Sequence, residues 1–454
     1  MHLSKKNSGQ RHKKELTQRE KILRIVCIVL AVMAAVIVSA AAIWKLMVVS
    51  PTVAPRPTAQ PESPAESGAL ENVDLWMPYI PEGGRKSDFY TFLVVGRDTG
   101  GGGNTDTIML AAYDVENQKM SVMSIPRDTM VNVSWDIKKI NSVYNAYGGG
   151  TDGMDALKQE VGQLVGFVPD FHVVVEWQAV GELVDAIKGV DFDVPLDMSY
   201  DDPDQDLHIH VDAGQQHVDG DQAMQILRWR KNNKLVNGQA VNYDGEGGDL
   251  RRMEIQQDFL RATMQQCLKN IRDLPTIVKL AGIFLENVET DLPLNSLAWL
   301  AQQAVVGGLE MEHVAFFTMP YQGAQAWSRA YKNMQDYVTP TSGKLLELVN
   351  QYLSPYRESL TTKSLDVMRV QSDGTISSST GYLADQKHNA LWLALQNPPE
   401  PEETAPVETQ TPSPEAEVPE IPAETPPAET TPAAPSPSPS QEAETPPEGI
   451  PTES

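Results

Sequence analysis

Three apolar runs of strand length, each bordered by a short polar cluster carrying an aspartate, constrain this chain more than any other feature. Phe92-Leu93-Val94-Val95 runs into Gly96-Arg97-Asp98-Thr99, Asn104-Thr105-Asp106-Thr107 into Ile108-Met109-Leu110, and Val122-Met123-Ser124-Ile125 into Pro126-Arg127-Asp128-Thr129. Short β-branched and apolar runs bounded by Gly, Pro and Asp read as strands. A sheet holds the residues at its strand ends in fixed places, so Asp98, Asp106, Arg127 and Asp128 are expected to converge on one site. Carboxylates beside guanidiniums suit a hard cation such as magnesium bridging to phosphate, because the acids ligate the metal while the arginines fork onto phosphate oxygens.

The pattern around these runs is globular from about residue 74 to 396. Strands are expected at Phe89–Val95, Thr107–Tyr113, Ser121–Ile125, Phe171–Val175, Val190–Val194, Leu207–Val211 and Val314–Thr318. Helical spacing covers Ile140–Tyr147, Asp152–Val165, Trp177–Ile187, Gly220–Arg230, Asp249–Arg272, Leu274–Phe284, Leu294–Val306 and Gly343–Tyr352. Strands and helices interleave, which predicts an α/β fold with helices on both faces of a sheet. Asp197–Asp206 reads as an acidic loop.

Ahead of this region, residues 1–24 carry eight Lys or Arg against Glu15 and Glu20, and Ile25–Trp44 then contains no charge, Pro or Gly. Twenty apolar residues at 1.5 Å per residue span a bilayer core of about 30 Å. The preceding positive charge predicts a single-pass anchor over 25–47 with its N-terminus in the cytoplasm and the rest of the chain outside. Residues 48–73 read as an extended extracellular linker, and 397–454, rich in Pro, Glu, Thr, Ser and Ala, as a solvated tail that cannot bury enough area to fold. The net charge of −25 argues against nucleic acid as a partner, since the phosphate backbone selects basic surfaces. Cys27 falls within the expected membrane span and Cys267 in the domain outside it, so no disulfide joins them.

Further polar clusters add to the first three. Lys139-Ile140-Asn141 opens a helix just after Pro126-Arg127-Asp128. Arg228-Trp229-Arg230 ends a helix that begins at Gly220-Asp221-Gln222-Ala223, whose N-terminus is expected to face outward. Asp249 and Arg252 share a helical face, with Gln256 and Gln257 one turn on. The four arginines Arg127, Arg228, Arg230 and Arg252 suit a substrate with two phosphates.

Together with Val184-Asp185-Ala186 and Gly189-Val190-Asp191, these motifs resemble the LytR–CpsA–Psr family over roughly residues 88–320. The resemblance implies a three-layer α/β/α sandwich with a mixed central sheet, preceded by one transmembrane helix, and an apolar pocket for a lipid chain. It implies a phosphotransferase of the Gram-positive cell membrane. Such an enzyme moves an anionic glycopolymer, a teichoic acid or capsular polysaccharide, from an undecaprenyl-pyrophosphate carrier to peptidoglycan through a phosphodiester. Carried over by position, Asp98 and Asp106 hold Mg2+. Arg127, Arg228, Arg230 and Arg252 bind pyrophosphate together with Lys139, Asn141 and Gln256, and Asp128, Lys139, Asn141 and Asp249 order that shell. Asp98 and Asp128 are both candidates for the base. At three positions where the family usually carries arginine, this chain has Gly100, Asn104 and Ile255. Two alternatives therefore stand beside the transferase: an envelope protein that binds lipid-linked polymer without turnover, and a polyprenyl-pyrophosphate hydrolase.

Two weaker signals complete the reading. Gly100–Gly103 lacks the Lys-Ser or Lys-Thr of a P-loop and reads as a loop at the mouth of the site. His208 and His210 share one face of a strand with His217 nearby, a grouping that suits a transition metal. No acidic ligand is evident around them, so they read as exposed strand histidines, and the acidic loop beside them reads as solvated.

Overall fold

The computed structural model describes residues 48–53, 81–97, 105–204, 206–243, 248–271 and 274–397, together with Met33. The expected membrane span, most of the linker, Asp98 with the glycine run, and the acidic tail lie outside these residues. Among the described residues no helix is long and apolar enough to cross a membrane. The chain divides at Pro398/Pro399, and everything described belongs to the first unit.

The three opening runs form β1 (Phe89–Arg97), β2 (Thr105–Asp114) and β3 (Lys119–Ser124). A short helix α1 (Val143–Ala146), then α2 (Gly150–Val165), lead to β4 (Phe171–Glu176) and α3 (Trp177–Ala186). Next come β5 (Val190–Val194), β6 (Met198–Asp202), β7 (Leu207–Val211), β8 (Gly214–Val218), α4 (Gly220–Arg228), and the hairpin of β9 (Asn233–Val236) and β10 (Gln239–Asn242). The long helix α5 (Asp249–Asn270) is followed by α6 (Leu274–Asn287), β11 (Val288–Thr290), α7 (Leu294–Gly307) and β12 (Val314–Thr318). A C-terminal layer adds the hairpin of β13 (Tyr321–Ser328) and β14 (Asn333–Pro340), α8 (Ser342–Leu348), the pair β15 (Met368–Val370) and β16 (Ile376–Ser378), and α9 (His388–Gln396).

Six strands make one mixed sheet in the order β11-β4-β1-β2-β3-β12. β1 runs antiparallel to β2 and parallel to β4, and β3 runs antiparallel to β2 and parallel to β12. Strands β4, β1, β3 and β12 therefore end at one common edge. The alternation of each strand sorts its side chains between two faces. Leu93 and Val95 of β1, Ile108 and Leu110 of β2, and Met123 of β3 pack against Met154, Leu157, Val161 and Leu164 of α2 and against Leu345 of α8. Tyr90, Tyr113, Phe171 and Val314 on the other face pack with Leu300 and Trp299 of α7 and Met264 and Leu268 of α5. Helices thus cover both faces, as an α/β fold requires. Leu93 has no exposed surface, and truncating such a residue to alanine costs about 2–5 kcal/mol.

Sequence explains the ends of these elements. Helix α2 carries its apolar residues at positions 154, 157, 161, 164 and 165, one buried stripe. It stops at Gly166, which has φ +83°, and a Cβ there would meet Leu360 at 3.0 Å. Helix α4 begins with a capping box: Asp219 accepts from the Gln222 backbone while the Gln222 side chain accepts from the Asp219 backbone. Gly220 N donates to Asp185 Oδ1 at 2.8 Å. The start of α4 is therefore satisfied by protein groups, with Asp219 and Asp221 exposed on its outer side. These bonds also account for the Val184-Asp185-Ala186 cluster as a clamp between α3 and α4.

A second core lies beside the sheet. Val190, Phe192, Ile209, Val218, Ile226, Trp229, Ile255 and Phe259 join β5, β7, β8, α4 and the first half of α5. Here the structure corrects an expectation. Residues 198–202, read as part of an acidic loop, form β6 and pair with β7, with Met198 buried at one end.

Candidate active site

The site residues gather at the edge where β1 and β3 end and β2 begins. Asp106 follows the irregular step in register between Gly96 and Arg97 of the paired strand. A Cβ on Gly96 would lie 3.0 Å from the Thr107 side chain, so glycine permits this close approach. The Asp106 carboxylate takes Arg127 Nη1 at 2.7 Å, and the two side chains are 24% and 20% exposed. Arg252, one turn into α5 and buried, donates from Nη2 to the Asp106 carbonyl at 3.2 Å. Two guanidiniums on separate elements are thus held against one aspartate.

The two glutamines that follow on α5 hold it to the sheet. Gln256 is buried; its Oε1 accepts from Thr107 Oγ1 at 3.1 Å and its Nε2 donates to Leu227 O at 3.1 Å. Gln257 donates to Ser124 Oγ at 2.7 Å and to Phe317 O at 3.0 Å, at the ends of β3 and β12. Gln256 also fixes the last turn of α4, where Arg228 sits. Trp229 beyond it is fully buried with its indole N–H on Asn232 Oδ1 at 2.8 Å. Arg228 and Arg230 therefore flank a rigid anchor. Arg230 O accepts from Gly248 N at 2.7 Å, which sets Arg230 beside the start of α5.

The remaining residues lie on the loop after β3. Asp128 pairs with Lys139 Nζ at 2.9 Å, and Lys139 lies over the Tyr337 ring at 5.6 Å. Asn141 contributes its backbone, with N donating to Arg127 O at 3.2 Å and O accepting from Thr105 Oγ1 at 3.3 Å. Asp249 is the first residue of α5. Asp98, Gly100 and Asn104 lie outside the described residues. Arg97 points away from the site: it donates to Tyr144 OH at 2.9 Å and to Glu176 Oε1 at 2.8 Å, and the Glu176 bond raises its pKa. Ile255 is buried in the second core rather than at the sheet edge.

Gln257, Thr107 and Tyr337 support the site without having been singled out as site residues. Gln257 stands beside Gln256 in the quoted motif, but its partners on β3 and β12 are set only by the fold. Tyr337 comes from β14, a polar hairpin strand with no chemical signature.

A family model described as the LytR_cpsA_psr family matches residues 60–351. The chain is 27% identical over 217 residues to the polyisoprenyl-teichoic acid–peptidoglycan teichoic acid transferase TagV of Bacillus subtilis, covering 47% of this chain and 50% of that protein. It is 29% identical over 208 residues to the regulatory protein MsrR of Staphylococcus aureus, covering 45% and 56%. The chain spans about half the length of these curated relatives. Among solved structures it is similar to a LytR-Csp2A-Psr enzyme from Actinomyces oris, with 20% identity, a TM-score of 0.46, and 64% and 96% of the two chains covered. With the family model matching well over half of its length, this chain belongs to the LytR–CpsA–Psr family.

Proposed function

We propose that this chain is a membrane-anchored, magnesium-dependent phosphotransferase that moves an anionic glycopolymer from an undecaprenyl-pyrophosphate carrier to peptidoglycan through a phosphodiester bond. The observation that carries this reading is the Arg127–Asp106–Arg252 cluster at the sheet edge, in a chain of this family. Phosphoryl transfer asks a protein for charge neutralisation and in-line positioning more than for covalent chemistry. Arg127 and Arg252 neutralise and orient the pyrophosphate, and Arg228 and Arg230, flanking the anchored Trp229, extend the contact. The Thr107–Gln256 and Gln257–Ser124 bonds keep α5, and with it Arg252, in register with the sheet. Asp128, Lys139, Asn141 and Asp249 order the surrounding shell.

Magnesium fits the residues present. Asp106 offers a partly exposed carboxylate, a hard oxygen donor, beside guanidiniums that suit the phosphate such an ion would bridge. Asp106 and Asp98 would hold the ion, which when bound offsets charge developing on the transferred phosphoryl group. The proton of the acceptor hydroxyl goes to Asp98 or Asp128. Changing each to asparagine separates them, because only loss of the base removes the acidic limb of the pH–rate profile.

A second reading is an envelope protein that binds lipid-linked polymer without turnover. It is favoured by Arg97, committed to Glu176, and by Ile255, committed to the core: neither supplies a guanidinium to the site. In a third, water replaces the sugar hydroxyl and the chain hydrolyses polyprenyl pyrophosphates. Product analysis with a polyprenyl-pyrophosphate glycan and a peptidoglycan acceptor separates the three. Phosphodiester-linked glycan on the acceptor supports the transferase, bound but unaltered donor supports the second reading, and free glycan phosphate with polyprenyl phosphate supports the hydrolase.

A further inference from the structure

The hairpin β6–β7 brings together groups that lie in two separate stretches of sequence. Asp201 stands directly across from His208 in the strand register, with His210 two residues along the same outer face. Asp201 Oδ1 lies 2.8 Å from His208 Nδ1 and 3.1 Å from His210 Nε2. The three ligand atoms all fall within 4.8 Å of one another. Both histidines are more than half exposed, while the Asp201 side chain is 19% exposed.

The cluster is held from behind. Asn233 is buried, and its side-chain amide bridges the Asp201 backbone in both directions: Asp201 N donates to Asn233 Oδ1 at 2.8 Å, and Asn233 Nδ2 donates to Asp201 O at 2.9 Å. His210 N donates to Gln225 Oε1 of α4 at 2.9 Å. Ile209, between the two histidines, is fully buried in the second core, so the strand cannot turn its outer face inward. Two of the three ligands thus have fixed backbones before any ion arrives. His208 Nε2, the ring nitrogen turned away from Asp201, lies 3.7 Å from Asp206 Oδ1. His217 is not part of the cluster. It is spent on Asp191 Oδ1 at 2.8 Å and Lys188 O at 2.9 Å, where Gly189, with φ +81°, leaves room for its ring.

We propose that Asp201, His208 and His210 form a binding site for a divalent transition-metal ion, zinc by ligand chemistry, distinct from the phosphate site. Zinc–nitrogen and zinc–oxygen bonds of about 2.0–2.2 Å place neighbouring tetrahedral ligands roughly 3.3–3.6 Å apart, close to the 2.8 and 3.1 Å from Asp201 to the two histidines, with all three atoms within 4.8 Å. Binding replaces the N–H protons shared with Asp201 by the ion, and the imidazole protons move to the outward nitrogens. Two imidazoles select against magnesium and calcium, which prefer all-oxygen shells. With three protein ligands on an exposed face, the remaining positions are filled by water or by a donor from another molecule. The bound ion clips β6 to β7 and stiffens the wall of the second core.

The test uses the full chain, free of affinity tags and stripped with a chelator. Zinc is titrated against a chromophoric competitor, and cobalt is added separately to read its visible ligand-field bands. We expect wild type to bind a single equivalent with these groups and to melt at a higher temperature with zinc. Asp201→Asn or His208→Ala should weaken binding roughly tenfold or more, the double variant His208→Ala/His210→Ala should abolish that equivalent, and His217→Ala should leave it unchanged. The histidine variants should melt like wild type without metal, since those side chains are more than half exposed. Zinc binding of equal strength in wild type and the double variant, or displacement of the ion by excess magnesium, would overturn the proposal.

Discussion

Two ion pairs of similar length play opposite parts in this molecule. Asp106 and Arg127 meet at 2.7 Å with roughly a fifth to a quarter of each side chain exposed. Lys138 and Asp385 meet at 2.8 Å with 2% and 5% exposed. Asp385 also takes Arg329 Nη1 at 2.7 Å, and Lys138 donates to the carbonyls of Val133 and Trp135. Burial lowers the Lys138 pKa despite its partner. Burial alone would raise that of Asp385, but the hydrogen bonds from Lys138 and Arg329 bring it below the usual carboxylate range. The sealed pair has no access to a ligand, and it latches the C-terminal layer onto the loop that follows Arg127 and Asp128. The open pair leaves charge within reach of solvent, as the proposed transferase requires. Whether an ion pair serves as a site or as a strut depends here on what covers it.

The sharpest way to break this comparison is to remove one member of each pair. Arg127→Ala should lower transfer roughly 100- to 1,000-fold, the usual effect of losing one group that stabilises transition-state charge, with a melting temperature near that of wild type. Equal loss of turnover and fold would contradict the assignment. Lys138→Met should do the reverse, because Asp385 keeps Arg329 but loses the buried charge-assisted hydrogen bond from Lys138, which costs about 1.5–3 kcal/mol of stability. Denaturant unfolding measures this, while transfer per folded molecule stays close to wild type.

Glu160 extends the comparison to pH. Burial, then repulsion from Asp366, raises its pKa to about 8, against a hydrogen bond from Gln163 that lowers it. The folded state thus holds a proton that the unfolded chain releases near the ordinary carboxylate value. This contribution is present in full below that value and is lost as pH rises through about 8. Glu160→Gln should therefore leave the melting temperature at pH 5 nearly unchanged and raise it at pH 9; a rise of equal size at both would contradict the burial effect. The smallest effect is expected at Arg97. Its partner Glu176 is 43% exposed, so Arg97→Ala should cost less than about 1 kcal/mol and leave transfer intact. A large loss of transfer would mean that Arg97 reaches the substrate after all.

Many strands, inside the central sheet and beside it, are legible because burial follows alternation. Val190–Val194, Leu207–Val211 and Val314–Thr318 are strands with the expected bounds. Strands whose side chains are mostly polar escaped: β6 is Met-Ser-Tyr-Asp-Asp, β8 is Gly-Gln-Gln-His-Val, and β13 and β14 form a polar hairpin. Each is fixed by pairing with a neighbour, which a single segment does not reveal. At the site, Asp106 and Arg127 were legible because strand ends fix position. The grip of Arg252 on the Asp106 carbonyl depends on where α5 crosses the sheet. Asp201 is not legible as a partner of His208 and His210 because Met198–Asp202 shows no strand alternation and is placed only by its pairing with β7.

The most direct test of the central claim uses the full chain in lipid nanodiscs, supplied with a polyprenyl-pyrophosphate glycan, a peptidoglycan acceptor and magnesium. Phosphodiester-linked product is followed for wild type, Asp106→Asn and Arg252→Ala. We expect magnesium-dependent transfer by wild type and its near-complete loss in both variants, with folding retained. Undiminished transfer in either variant would contradict placing the chemistry at the Arg127–Asp106–Arg252 cluster, and bound but unaltered donor in wild type would establish the binding reading in its place.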